Sequence, residues 1–168
     1  MANLSRRQAL KAISALLGTA ITPVAAARLF DSAGDIQAGF EVLNRDQSSL
    51  VEEMQELLLA LTDKEKSSFN LVAFVDLMLT HTVSLQERRE CLQGAGLILA
   101  NLKRRRDINM RLRGLFDVDA STHADILAKQ GQPLSALAPA AREQYLIYKF
   151  IFVVREFLLL GYFTSQKL

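Results

Sequence analysis

Pro139 to Leu168 reads PAAREQYLIYKFIFVVREFLLLGYFTSQKL, and this stretch decides the fold class. Pro139 suits the first turn of a helix, where its missing N–H has no partner to lose. Ile147, Phe150, Ile151, Val154, Phe157 and Leu158 then recur at helical spacing. Tyr145, Tyr148, Phe152 and Leu159 form a second apolar stripe on the other side. A helix that is apolar nearly all round is buried or meets a partner. Lys149, Arg155 and Glu156 interrupt it, and the run falls short of the about 20 apolar residues a membrane span needs. Gly161 is expected to end it, in the left-handed conformation that glycine adopts without penalty.

Upstream of this stretch the pattern stays helical. Asn44 with Gln47, and Ser84 with Glu87, have capping-box spacing. Leu50, Val51, Met54, Leu57, Leu58 and Leu61 follow one face, which predicts an amphipathic helix over 45–61. Residues 62–70 read as a polar connection. The apolar run 71–83, with Asp76 and His81 as its polar members, favours a buried helix by its length and neighbours; periodicity alone also fits a strand. The Ser84 cap predicts a helix over 85–102. Gly94 and Gly96 inside it predict close approach of another backbone, or a break. Asp119 or Ser121 is placed to cap a short helix ended by Gly131. No alternating strand pattern or internal repeat is present. The expectation is all-α: a small helical bundle of four to six helices with a long, highly apolar C-terminal helix.

The chain has 168 residues, half of them hydrophobic, and a formal net charge of +2. Residues 1–27 hold three of the 20 basic residues and none of the 18 acidic ones, so 28–168 carries a net −1. The basic balance belongs to the leader, and no strongly anionic partner is implied by it. Ser5, Arg6, Arg7, Leu10 and Lys11 match the twin-arginine signal Ser-Arg-Arg-x-Phe-Leu-Lys, with Ala9 in place of Phe. A mild apolar run and Ala25-Ala26-Ala27 follow in the order of an export signal with a cleavage site. The expected organisation is a twin-arginine export signal at 1–27 and a helical domain at 28–168, with a retained membrane anchor as the lesser reading. Lys103 to Arg113 holds six basic residues and one acid. No aromatic residues interleave for base stacking, so it reads as a solvated or partner-facing helix end rather than a nucleic-acid face.

Chemistry-bearing motifs are missing from the sequence. His81 and His123 are the two histidines and stand far apart, outside any HExxH arrangement. There is no CxxCH for covalent haem, no GxGxxG, no GxSxG and no P-loop. Asp117 and Asp119 flank one residue in a loop and read as solvated. No catalytic, cofactor-binding or metal-ligating residue is expected. The single cysteine, Cys91, is a candidate for an intermolecular disulfide in an oxidising compartment.

Leu160-Gly161-Tyr162-Phe163-Thr164-Ser165, after Val154-Arg155-Glu156-Phe157-Leu158-Leu159, resembles the signature of the gluconate 2-dehydrogenase subunit 3 family. Val42 to Gln47 is similar to that family's first-helix entry, Thr62-Asp63 to part of its Pro-x-Thr-Asp-Thr-Pro-Gly-Ala loop, and Asn70 to Leu79 to the helix that follows. Ala60 and Lys64-Glu65-Lys66 depart from the loop pattern. The resemblance implies a small subunit without catalytic residues. It would travel by the twin-arginine translocase to the periplasm and remain at the cytoplasmic membrane through its complex. It would assist folding and export of a large dehydrogenase subunit that carries FAD, with a multihaem cytochrome c subunit holding haem c beside them. Phe157, Gly161, Tyr162 and Phe163 are then the expected partner contacts. No nucleic acid enters this picture. A stand-alone exported helical chaperone or scaffold is the alternative, and an exported enzyme of unrecognised type a weaker one.

Overall fold

The computed structural model describes residues 40–59, 61–62, 70–100, 102, 105–129 and 131–165. Among the described residues six α-helices and one short 3-10 turn make up the regular structure, and no strand occurs. The helices are α1 (Arg45–Leu59), α2 (Leu71–His81), α3 (Leu85–Leu99), α4 (Arg105–Phe116), α5 (Ala120–Ala128) and α6 (Pro139–Ser165). The 3-10 turn covers Leu134–Ala136.

Local signals set several of these ends. The Asn44 side chain accepts from the Gln47 N–H at 3.0 Å, and the Gln47 side chain accepts from the Asn44 N–H at 2.9 Å. The same reciprocal pair joins Ser84 and Glu87 at the start of α3. Each cap satisfies donors that the helix itself leaves without a partner. Asn70 caps α2 through Ala73, and Asp119, rather than Ser121, caps α5 through Thr122. Gly131, at φ +82°, makes the left-handed turn after α5. The run 71–83 resolves as helix. The helix starting at Leu85 is three residues shorter than expected and ends at Leu99. Basic residues from 105 onward therefore open a new helix, α4, instead of closing α3, and the favourable-dipole reading of that end is replaced.

The core lies where α6 crosses α3 and α2. Phe150, Ile151, Val154, Phe157 and Leu158 of α6 pack with Val75, Met78 and Leu79 of α2, and with Cys91, Ala95 and Ile98 of α3. Leu50, Val51 and Met54 of α1 and Leu112 of α4 complete the same cluster. Each Val, Leu, Ile, Met or Phe side chain among these, removed from water, contributes about 1.5–3 kcal/mol. The 27-residue α6 carries a wet strip as well as a buried one: Glu143, Arg155 and Glu156 are exposed, and Phe152, Val153, Leu159 and Leu160 are half-buried. No helix of the described residues is long and apolar enough to cross a membrane.

Two glycines let helices approach closely. A Cβ at Gly94 would sit 2.0 Å from the Leu146 carbonyl oxygen, so the α3 and α6 backbones touch there. A Cβ at Gly161 would sit 2.7 Å from Leu71 Cδ2 and 2.9 Å from Phe74 Cδ1. Gly161 thus lies inside α6 and does not turn left-handed; the expectation that it ends the helix is corrected, and its small size serves the α6–α2 contact. Gly96, by contrast, is exposed with open space around it and permits no close approach.

Candidate functional site

The expected partner residues separate by helical phase. Phe157 is 2% exposed and belongs to the core, so it offers no surface to another chain. Gly161, four residues on, is buried on the same side against Leu71 and Phe74. Tyr162 is half-buried, and Phe163 is 59% exposed. The two rings meet edge to face with centroids 5.5 Å apart. The Thr164 hydroxyl donates back to the Leu160 and Gly161 carbonyls at 2.8 and 3.0 Å, which steadies this last turn. Of the four residues, Phe163 and the outer part of Tyr162 present themselves outward.

Cys91 is 1% exposed and free. Burial pushes its thiol up to about 12, with Lys149 pulling weakly the other way. The thiolate needed for exchange is absent at neutral pH and no partner sulfur can reach it. In this chain the side chain packs as a small apolar member of the α3–α6 seam, and an intermolecular disulfide would require that seam to open. The expected export residues Ser5, Arg6, Arg7, Leu10 and Lys11, with the rest of 1–27, lie outside the described residues, as do residues 63–69 of the loop.

A cleft of about 990 Å³ runs along α6. Tyr145, Lys149, Phe152, Glu156 and Leu159 line it; their spacing of four, three, four and three puts them on one helical face. The first turns of α3 and the segment from His123 to Pro133 form its walls. At its floor the Lys149 ammonium is paired with Glu90, whose other carboxylate oxygen accepts from Gln86 Nε2 at 2.9 Å. The ammonium also lies 5.7 Å from the Tyr145 ring centroid. Burial works against the Lys149 charge, but the Glu90 hydrogen bond and the fields of Tyr145, Glu90 and Glu87 outweigh it and hold its pKa above the ordinary lysine value. Lys149 is thus a locked cation, not a neutral amine ready to attack a carbonyl. His123 packs edge-on against Phe152, centroids 5.1 Å apart. No group of three or more His, Cys, Asp or Glu side chains able to hold a metal occurs among the described residues. Asp119, fully exposed, is held down at about 2 by the Ser121 hydroxyl and by the Thr122 N–H and hydroxyl, which is capping rather than catalysis.

A second polar centre was invisible in the sequence. Asp76, buried in α2, accepts the backbone N–H of Glu41 at 2.8 Å through one oxygen. Its other oxygen accepts those of Val42 and Leu43, at 3.0 and 2.8 Å. One carboxylate thereby fixes the chain entering α1. The signal available was a lone acid inside an apolar run, which requires a buried donor set but does not name it.

Comparison with protein-family models, with curated proteins and with solved structures found no match. The family resemblance therefore rests on its motifs.

Proposed function

We propose that this chain is the small, non-catalytic subunit of an exported, membrane-associated, FAD-dependent sugar or sugar-acid dehydrogenase. In this reading it assists folding and export of the flavin subunit and stays bound to it at the periplasmic face, with a cytochrome c subunit completing the complex. The observation that carries the reading is the motif from Val154 to Ser165, with its resemblance to the gluconate 2-dehydrogenase subunit 3 signature. Two features support it. The twin-arginine pattern at Ser5 to Lys11 suits a partner of a folded, cofactor-loaded protein. Within the motif, Phe163 presents a large exposed ring on a turn braced by Thr164. Aromatic residues, Phe included, are enriched at protein interfaces, and large buried anchors carry much of their binding energy.

The test is recovery of the tagged chain from its host. A yellow flavoprotein is expected to accompany it, and deletion of residues 1–27 is expected to leave that flavoprotein in the cytoplasm. Phe163→Ala is expected to weaken the complex by about 2 kcal/mol or more while the isolated chain keeps its stability within about 0.5 kcal/mol. Recovery of the chain with no flavoprotein would support a stand-alone scaffold instead.

A further inference from the structure

The strongest charge asymmetry in the sequence lies elsewhere, in the stretch that leads into α4 and covers most of it. Lys103 to Arg113 carries six basic residues and one acid, whereas the rest of 28–168 carries 11 basic and 17 acidic residues. A net of +5 on one short stretch against −6 on the remainder of 28–168 concentrates positive charge along one segment of the chain, to which an anionic surface is complementary. The described part of that stretch is built to face outward. Leu112 is fully buried against the core, while Met110 is 64% exposed and Arg111 and Arg113 are exposed. Arg113 Nε donates to Asn109 Oδ1 at 2.8 Å, and Asn109 Nδ2 donates to buried Glu53 at 3.1 Å, so the guanidinium is braced from the core.

Beside Arg111 the surface dips into a hollow of about 460 Å³, lined by Leu102, Asp107, Met110, Arg111, Gly114 and Leu115. Four of these six present hydrocarbon or bare backbone. We propose that α4 and this hollow bind the surface of an anionic phospholipid bilayer, with lipid phosphate at Arg111 and Arg113 and hydrocarbon against Met110 and the hollow. Charge selects an anion, and the apolar hollow next to a guanidinium selects an amphiphile in which phosphate and hydrocarbon adjoin. An acidic protein surface would match the charge but would need an apolar side chain placed beside its carboxylates to enter the hollow, whereas a bilayer supplies phosphate and hydrocarbon together along its whole surface. Single-stranded nucleic acid would call for stacking aromatics, and none of the described residues that line the hollow is aromatic. Asp107 is the opposing group at the site. The inference does not depend on the dehydrogenase-subunit reading.

The full chain is tested by co-sedimentation with vesicles of phosphatidylcholine alone and with vesicles containing phosphatidylglycerol. Comparison among variants cancels the contribution of the leader, which all of them share. Binding is expected only to the anionic vesicles and is expected to weaken as salt rises. The double variant Arg111→Gln/Arg113→Gln is expected to bind about 25-fold more weakly, a factor of about five for each charge. Asp107→Asn is expected to bind more tightly and Met110→Ser more weakly. Arg155→Gln, on the other cleft, is expected to bind like the parent. The proposal is overturned if the double variant binds like the parent, if Arg155→Gln loses as much as the double variant, or if neutral and anionic vesicles bind alike. Binding of short duplex DNA in place of vesicles, lost in the double variant, would also overturn it.

Discussion

Gly94 and Gly96 stand two residues apart in α3, and alanine at each is expected to move stability in opposite directions. In a helix interior, glycine to alanine by itself gains about 1 kcal/mol from backbone entropy. At Gly96 nothing lies within 4 Å of the new Cβ, so that gain is realised. At Gly94 the new Cβ falls 2.0 Å from the Leu146 oxygen, 2.7 Å from its carbonyl carbon and 3.0 Å from Phe150 Cβ. Two of these obstacles are backbone, so no rotamer change relieves them. Since real Cβ contacts scarcely occur under 3.0 Å, α3 and α6 must part by about 1 Å. A gap of that size forfeits about a quarter to a half of each dispersion contact across the seam, where Cys91, Ala95 and Ile98 meet Phe150 and Val154. Overpacking of this kind costs about 1–3 kcal/mol and sometimes more. Because two of the obstacles are rigid backbone in the main core, the cost is expected at the upper end of that range, about 3 kcal/mol, which leaves a net loss of about 2 kcal/mol after the helix gain of about 1 kcal/mol. With about 2–4 °C per kcal/mol for a chain of this size, thermal unfolding followed by circular dichroism is expected to show Gly94→Ala well below the parent and Gly96→Ala slightly above it. Gly94→Ala within about 0.5 kcal/mol of the parent, or the same sign at both positions, would refute the close contact of α3 and α6.

Asp76→Asn keeps an acceptor for Val42 and Leu43 but turns an amide donor toward the Glu41 N–H. A loss of about 1–3 kcal/mol is expected, with limited proteolysis opening first at 40–44; unchanged proteolysis would mean that the carboxylate does not hold this segment. Cys91 is expected to resist thiol reagents in the folded chain and to react at once on unfolding. Its folded pKa of about 12 exceeds the unfolded value of about 8.5, so its contribution is complete below the unfolded value and is lost as pH rises from there through the folded one. Cys91→Ala is expected to flatten the alkaline limb of a stability–pH profile, and an unaltered limb would contradict the burial.

What could be read from the sequence was what is decided within a few residues. The caps at Asn44 and Ser84, the turn at Gly131 and the apolar stripe of α6 all follow from neighbours three or four positions away. The polar pairings could not be read that way. Glu90 and Lys149 lie 59 residues apart, and Asp76 is more than 30 from the N–H groups it holds. Each looks in sequence like an ordinary interruption of a hydrophobic face, because the partner is supplied by the packing of whole helices.

Glycine carries the same ambiguity in a sharper form. A helix-end turn and a close backbone approach both select it, and only the position of a second helix separates them, at Gly161 as at Gly94. That distinction bears directly on function. Had Gly161 ended the helix, Tyr162 and Phe163 would sit on a tail free to reorient. Because α6 continues to Ser165, the positions of these residues are set by helical phase instead. Phe157 and Gly161, one turn apart, face α2 and the core, and Phe163, six positions after Phe157, is carried well round the axis into solvent. A motif rich in apolar residues thus divides into a part that holds the fold and a part exposed to solvent. The division makes Phe157→Ala and Phe163→Ala distinguishable: the first removes a core ring worth about 3–5 kcal/mol of folding stability, and the second removes an exposed ring and is expected to leave the fold intact.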